Sequence, residues 1–118
     1  MKKIALSTFG NRISSRLDSA DEILFLTLEN KRIKTRETIK IIQTNPFDKI
    51  QLIIKLNPDI LICGGVTQLC NNLLKNTGIK VISWTKGNAE AVLKKFLAGS
   101  LKDNNDHDMI EKEWKTRL

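Results

Sequence analysis

Residues Asp59 to Val81 read DILICGGVTQLCNNLLKNTGIKV, and this stretch decides the fold. Asp59 to Cys63 is short and almost wholly apolar, the signature of a strand buried on both faces. Gly64-Gly65 turns the chain. Val66, Leu69, Cys70, Leu73, Leu74 and Thr77 then recur at the spacing of one helical face, and Gly78 suits the left-handed residue that ends a helix. Ile79 to Trp84 is apolar again. Strand, helix and strand in so few residues predict a parallel βαβ unit with a right-handed crossover.

Working upstream, Pro58 ends a helix opened by Asn45-Pro46, with Asn as cap and Pro in the first turn; Phe47, Ile50, Ile53 and Ile54 mark its face. Before it lie three strand-like runs. Lys3 to Thr8 is the first. Glu22 to Leu28 is the second, and Glu29-Asn30 turns it into the third, Arg32 to Ile42. There Ile33, Thr35, Ile39 and Ile41 fall on one face at period two, so the pair should form a hairpin. Phe9 to Ala20 is polar and reads as a loop. Downstream, Gly87-Asn88 opens a helix carrying Ala89, Val92, Leu93, Phe96 and Leu97, closed by Gly99. The order β-β-β-α-β-α-β-α predicts a single α/β domain over residues 1–102, with a five-stranded mixed sheet flanked by helices. Residues 103–118 form a separate tail: a polar linker, then Met109, Ile110 and Trp114 in a segment that could be helical or mobile.

The chain has 118 residues with 41% hydrophobic and 28% charged, enough for one core without a disulfide or metal staple. Two cysteines do not make a disulfide framework. The apolar run after Met1 is too short for a signal peptide, and no stretch is long enough for a membrane helix; a reducing cytoplasm is the expected location. The net charge of +7 favours anionic partners of any kind. The densest basic run, Lys31 to Arg36, alternates like the solvated face of a strand. Aromatic residues make up 5% of the chain and tyrosine is absent, so a stacking platform for single-stranded nucleic acid is poorly supplied.

In sheets of this kind ligands gather beyond the carboxyl ends of the parallel strands. Three segments should meet there: the loop Phe9 to Ala20, the corner Cys63-Gly64-Gly65-Val66 and the corner Thr85-Lys86-Gly87-Asn88. Glycines allow close approach of a ligand to the backbone, and helix N-termini attract anions. Arg12, Arg16 and Lys86 add positive charge. Equally, two glycines at a tight corner answer a purely steric need. Cys63, at a strand end, is the candidate metal ligand because a thiol near a helix N-terminus tends toward thiolate, although the same position reads equally as a buried core thiol. Cys70 falls in step with the apolar face of its helix and reads as core. Trp84 reads as corner packing or one wall of the crevice. The single histidine, His107, lies in the polar linker and reads as an exposed surface residue, so a Ser-His-Asp triad or a site of several imidazoles is nearly excluded. Asp18, Asp21, Glu22 and Asp59 form no paired-carboxylate pattern, and Asp59 should lie at the wrong end of the sheet. With no phosphate-binding loop either, an enzyme reading finds no support and no catalytic residue is assigned.

Taken together, KIALST (Lys3–Thr8), ISSRLDSADEILFLTLEN (Ile13–Asn30), Asp59–Val81 and GNAEAVLKKFLAGSL (Gly87–Leu101) resemble the dinitrogenase iron–molybdenum cofactor-binding family over residues 2 to 102. The resemblance implies a ribonuclease H-like fold. It also implies a non-catalytic role: binding or carrying an anionic metal–sulfur cofactor, an iron–sulfur or iron–molybdenum–sulfur cluster or its precursor, for an acceptor protein. The chain departs from the family's pattern in places. Arg16 stands where the family often has histidine, Gln43-Thr44-Asn45-Pro46 replaces a loop rich in histidine and glycine, and Cys63 occupies a position that is often alanine. On this reading Cys63, Gly64, Gly65, Val66, Arg12, Arg16, Lys86, Gly87 and Asn88 would hold the cofactor. The alternative is an interaction module of the same fold that has lost metal binding and meets protein or nucleic acid through its basic surface.

Overall fold

A computed structural model describes residues 1–99. The expected tail, with His107 and Trp114, lies outside the described residues. The chain forms β1 (Lys2–Phe9), β2 (Arg12–Ile13), a 3₁₀ turn (Leu17–Ser19), β3 (Glu22–Glu29), β4 (Arg32–Lys40), α1 (Pro46–Leu56), β5 (Ile60–Ile62), α2 (Gln68–Asn76), β6 (Lys80–Ile82) and α3 (Ala89–Leu97). All five expected strands and all three expected helices of the domain are present. The addition is β2, a two-residue strand within the segment read as loop.

The sheet runs β4-β3-β1-β5-β6, with β2 on the end of β1. β3 is antiparallel to β1 and β4, whereas β5 is parallel to β1 and β6 to β5. The sheet is therefore mixed, antiparallel in front and parallel behind. β1 is its central strand, and the alternation along it builds both cores. Ile4 and Leu6 share a layer with Leu24, Leu26, Ile60 and Ile62, covered by Ala89, Val92 and Leu93 of α3. Ala5 shares the other layer with Ile23, Leu61 and Val81, covered by Ile50 and Ile53 of α1 and Leu74 of α2. Among the described residues no helix is long and apolar enough to cross a membrane.

The helix signals act locally as the sequence predicts. The Asn45 side chain accepts from the Asp48 amide at 2.8 Å, Pro46 occupies the first turn, and α1 ends at Asn57 with φ 53°. α2 differs. Its cap is Thr67, whose hydroxyl accepts from the Cys70 amide at 3.2 Å, so the helix starts at Gln68 and not directly after the glycines. Its buried face centres on Asn71 and Leu74. Leu69 precedes Asn71 by two positions, which puts it across the helix axis from that face, and it is 69% exposed.

β4 also departs from the expected pattern. It stops at Lys40, and its side chains are largely exposed. Thr35 pairs with Thr27 but Ile33 pairs with Leu28, leaving Lys34 as a bulge. One extra residue inverts the side-chain phase. Ile33 therefore faces the opposite side from Thr35 and Ile39, where period two had placed all of them together.

The segment Phe9 to Ala20 is not a free loop. Thr8 pairs with Ile13 through β2. The Ile13 amide then donates to the Gly87 carbonyl at 2.8 Å, and the Ala89 amide donates to the Asn11 carbonyl at 2.9 Å. Farther on, Gly65 N–H donates to the Ser15 carbonyl and Leu17 N–H to the Gly65 carbonyl, both at 2.8 Å. The segment thus laces both βα corners to the end of β1. At Gly64 a Cβ would stand 2.1 Å from the Ser14 carbonyl oxygen and 2.6 Å from that of Ser15. Glycine is needed here because two backbones touch.

Gly64→Ala should therefore cost about 3 kcal/mol by forced separation of those backbones. Gly78→Ala, which meets only a left-handed φ of 88° in open space, should cost about 1 kcal/mol. Urea unfolding of the two variants measures the difference, and equal losses would show that the contact at Gly64 yields easily. Asn45→Ala should lower stability by about 1 kcal/mol through the lost cap, read in the same experiment.

Candidate functional site

β1, β5 and β6 run in the same direction, so the three corners after them share one rim. Two clefts open there, on either side of Gly65 and Trp84. The first is a basic cleft of about 700 Å³ that includes Phe9, Arg12, Ser14, Gly64, Lys86 and Gly87 in its lining. The second is smaller, about 390 Å³, and lies where α1, α2 and the 3₁₀ turn meet. Its walls are mainly apolar: Leu17, Pro46, Ile50, Val66, Cys70 and the Trp84 ring.

Trp84 shapes both. Its backbone is left-handed, φ 61°, a conformation unfavourable for a bulky side chain. Surrounding contacts hold it there: the Trp84 amide donates to the Gly64 carbonyl at 2.9 Å, and the Thr85 amide to the Cys63 carbonyl at 3.0 Å. The ring lies against Gly65, where a Cβ would come within 3.0 Å of Cζ3. The second glycine of the pair thus makes room for an indole, as the first makes room for a crossing chain.

The predicted site residues divide between these places. Arg12, Gly64, Gly65, Lys86 and Gly87 line the basic cleft. Val66 and Arg16 line the apolar one. Arg16 is paired with Asp18 at 3.0 Å, so its charge is already answered, whereas among the described residues Arg12 and Lys86 have no ion-pair partner. Asn88 lies in neither lining; its side chain caps α3 by accepting from the Ala91 amide at 3.1 Å. The expectation of bare amides at the glycines is corrected at Gly65, whose N–H is already bonded to Ser15.

Of the two cysteines, Cys63 is buried, one of the two readings its place allowed, and Cys70 is only partly core. Cys63 is fully buried beside Ile53, Leu61 and Val81 and lines neither cleft. Cys70, read as core, is half-buried and forms part of the apolar cleft's wall. The signal that could have shown this is Thr67: a cap there sets Cys70 in the first turn of α2, at the rim. Lys49 is a further residue that periodicity did not single out. It reaches across to donate to the carbonyls of Asp18, at 2.6 Å, and Ala20, at 3.3 Å.

Among the described residues no three His, Cys, Asp or Glu side chains come together to hold a metal ion. Charge and shape, with at most one thiol, are what the rim offers a ligand. Asp59 sits at the amino end of β5, where it accepts from the Lys3 amide at 2.8 Å, away from both clefts as expected.

The architecture is shared with known structures. PH0822 is 20% identical and superposes with a TM-score of 0.79, covering 88% of this chain and 96% of that one. The Methanocaldococcus jannaschii protein mj0327 is 18% identical, with a TM-score of 0.71 and coverage of 86% and 92%. The apo form of the orange protein from Desulfovibrio gigas is 18% identical, with a TM-score of 0.69 and coverage of 87% and 92%. At these identities the likeness concerns the fold alone. No curated protein matches the chain. The sequence profile of the family described as dinitrogenase iron-molybdenum cofactor matches residues 1–99, nearly the whole chain and all of the described domain. The chain therefore belongs to the dinitrogenase iron–molybdenum cofactor family.

Proposed function

We propose that this protein is a non-catalytic carrier for an anionic metal–sulfur cofactor of the iron–molybdenum type, or its precursor, and that the basic cleft is where the cargo sits. One observation carries the reading. Arg12 and Lys86 enter a cleft of about 700 Å³ with no carboxylate paired to either among the described residues. Family membership supplies the class of cargo.

The chemistry suits such a guest. A finished thiometallate cluster carries negative charge and presents sulfides as hydrogen-bond acceptors. Arg offers several donors in a fixed plane and is weakly hydrated, and Lys contributes a compact charge. A cluster whose metals are already ligated by sulfide needs few protein ligands, which agrees with the sparse metal-ligating set at the rim. The proposal involves no chemical conversion of the cargo, which leaves as it entered and passes to an acceptor protein in the cytoplasm. It also takes the fold as ribonuclease H-like, a label supported by an antiparallel meander extended from its first strand by two parallel ones. Cys63 remains the thiol proposed for the metal; its burial means that it reaches a cluster only if the end of β5 opens.

Tetrathiomolybdate, a metal–sulfide dianion, is a direct probe. Titrated without oxygen and followed by visible absorption, it should bind one per chain, in preference to sulfate. The Arg12→Gln/Lys86→Gln double variant should weaken binding about tenfold, 1.4 kcal/mol. Undiminished binding in that variant, or equal binding of sulfate, would overturn the proposal. Cys63→Ala, checked for folding, separates the two modes of holding the metal: retained binding assigns the cargo to charge alone, and loss assigns coordination to the thiol.

A further inference from the structure

We propose that the apolar cleft between α1 and α2 is a second, separate binding site, for a small organic anion with a flat apolar body. The volume, about 390 Å³, falls in the range of small-molecule sites. Its walls are built from Leu17, Pro46, Ile50, Val66 and Cys70, with the Trp84 ring on one side. Trp84 is 48% exposed, in an unfavourable backbone conformation that holds the indole at the boundary of the clefts. An indole on the wall of an apolar cleft suits a planar partner.

Charge decides the rest. Lys49 lies on the cleft wall and is half-buried. Its ammonium is held by two neutral carbonyls, those of Asp18 and Ala20. Asp18, the acidic group in the same lining, has its carboxylate engaged by both Nε and a terminal nitrogen of Arg16. No carboxylate among the described residues forms an ion pair with Lys49. A half-buried ammonium bonded to two neutral carbonyls, with the neighbouring carboxylate already held by Arg16, is complementary to one anionic group. The combination, one positive head-site on an apolar slot, differs from the basic cleft, where two cations face a wider and more polar opening. A carboxylate or sulfonate attached to a fused or planar ring system fits it.

The probe is 8-anilinonaphthalene-1-sulfonate, compared with the neutral N-phenyl-1-naphthylamine, on the full chain. The sulfonate should bind one per chain, with energy transfer from tryptophan that survives in a Trp114→Phe variant. Cys70→Phe fills the slot and should weaken both probes at least tenfold. Lys49→Met should weaken the sulfonate about tenfold and leave the neutral probe unchanged, a split that a merely structural role for Lys49 would not produce. The Arg12→Gln/Lys86→Gln variant should leave both affinities intact, so this site can stand or fall apart from the cargo site. Should Cys70→Phe fail to fold, iodoacetamide labelling of Cys70 in the unaltered protein should be slowed by the sulfonate. Binding that ignores both Cys70→Phe and Lys49→Met overturns the proposal. So do displacement of the probe by tetrathiomolybdate, which would merge the two sites, and loss of probe binding as the protein self-associates, which would show the cleft covered by a second copy.

Discussion

The rim of this domain depends on a contact between two backbones. The Ser14 and Ser15 carbonyls press against the Gly64-Gly65 corner so closely that no side-chain carbon fits at the first glycine. This contact lets the segment after β1 run past the end of β5 and bond to it, amide to carbonyl, in both directions. The same segment reaches the corner after β6 through Ile13, Asn11 and Gly87. Without that lacing the ends of three parallel strands would open into separate loops. With it they form one continuous floor, and the clefts are its two depressions.

The question raised by the glycine pair has a divided answer. At Gly64 the need is steric, met by a crossing chain. At Gly65 the neighbouring indole takes the space, and the amide is already bonded to Ser15. The Gly65 amide is therefore not an open N–H group for a ligand. What the corner contributes to a site is indirect: it brings Arg12 and Lys86 to one cleft and sets Trp84 between that cleft and the other.

Most of the fold was legible because its signals are local. The apolar run Ile60 to Ile62, the Asn45-Pro46 cap and the period of α3 each act within a few residues, and the sheet follows from their order. The parts that were not legible are set by partners distant in sequence. β2 exists because Arg12 and Ile13 find β1. The phase change in β4 arises from a bulge against β3, which alternation alone cannot reveal. The place of Cys70 on the cleft wall, and not wholly in the core with Cys63, turns on where α2 begins. A two-residue delay, set by the Thr67 cap, carries one thiol to the rim, while the strand direction buries the other. The charges showed the same limit: Arg16 is as basic as Arg12 in sequence, and only the fold supplies its neighbour Asp18.

The bulge at Lys34 has a further meaning for how this domain lives among copies of itself. β4 is a long border strand, and a straight border of that length is an invitation to zip onto another sheet. Here an extra residue, Lys34, breaks the register near one end; Arg32 and Lys40 add positive charge along the strand, while Lys34 and Arg36 are paired with Glu29 and Glu90. Two identical borders brought side by side would meet like against like, with mismatched spacing. A broken register discourages fibrous stacking along this flank, and it lies on the far side of the sheet from β6 and the corners that shape the clefts.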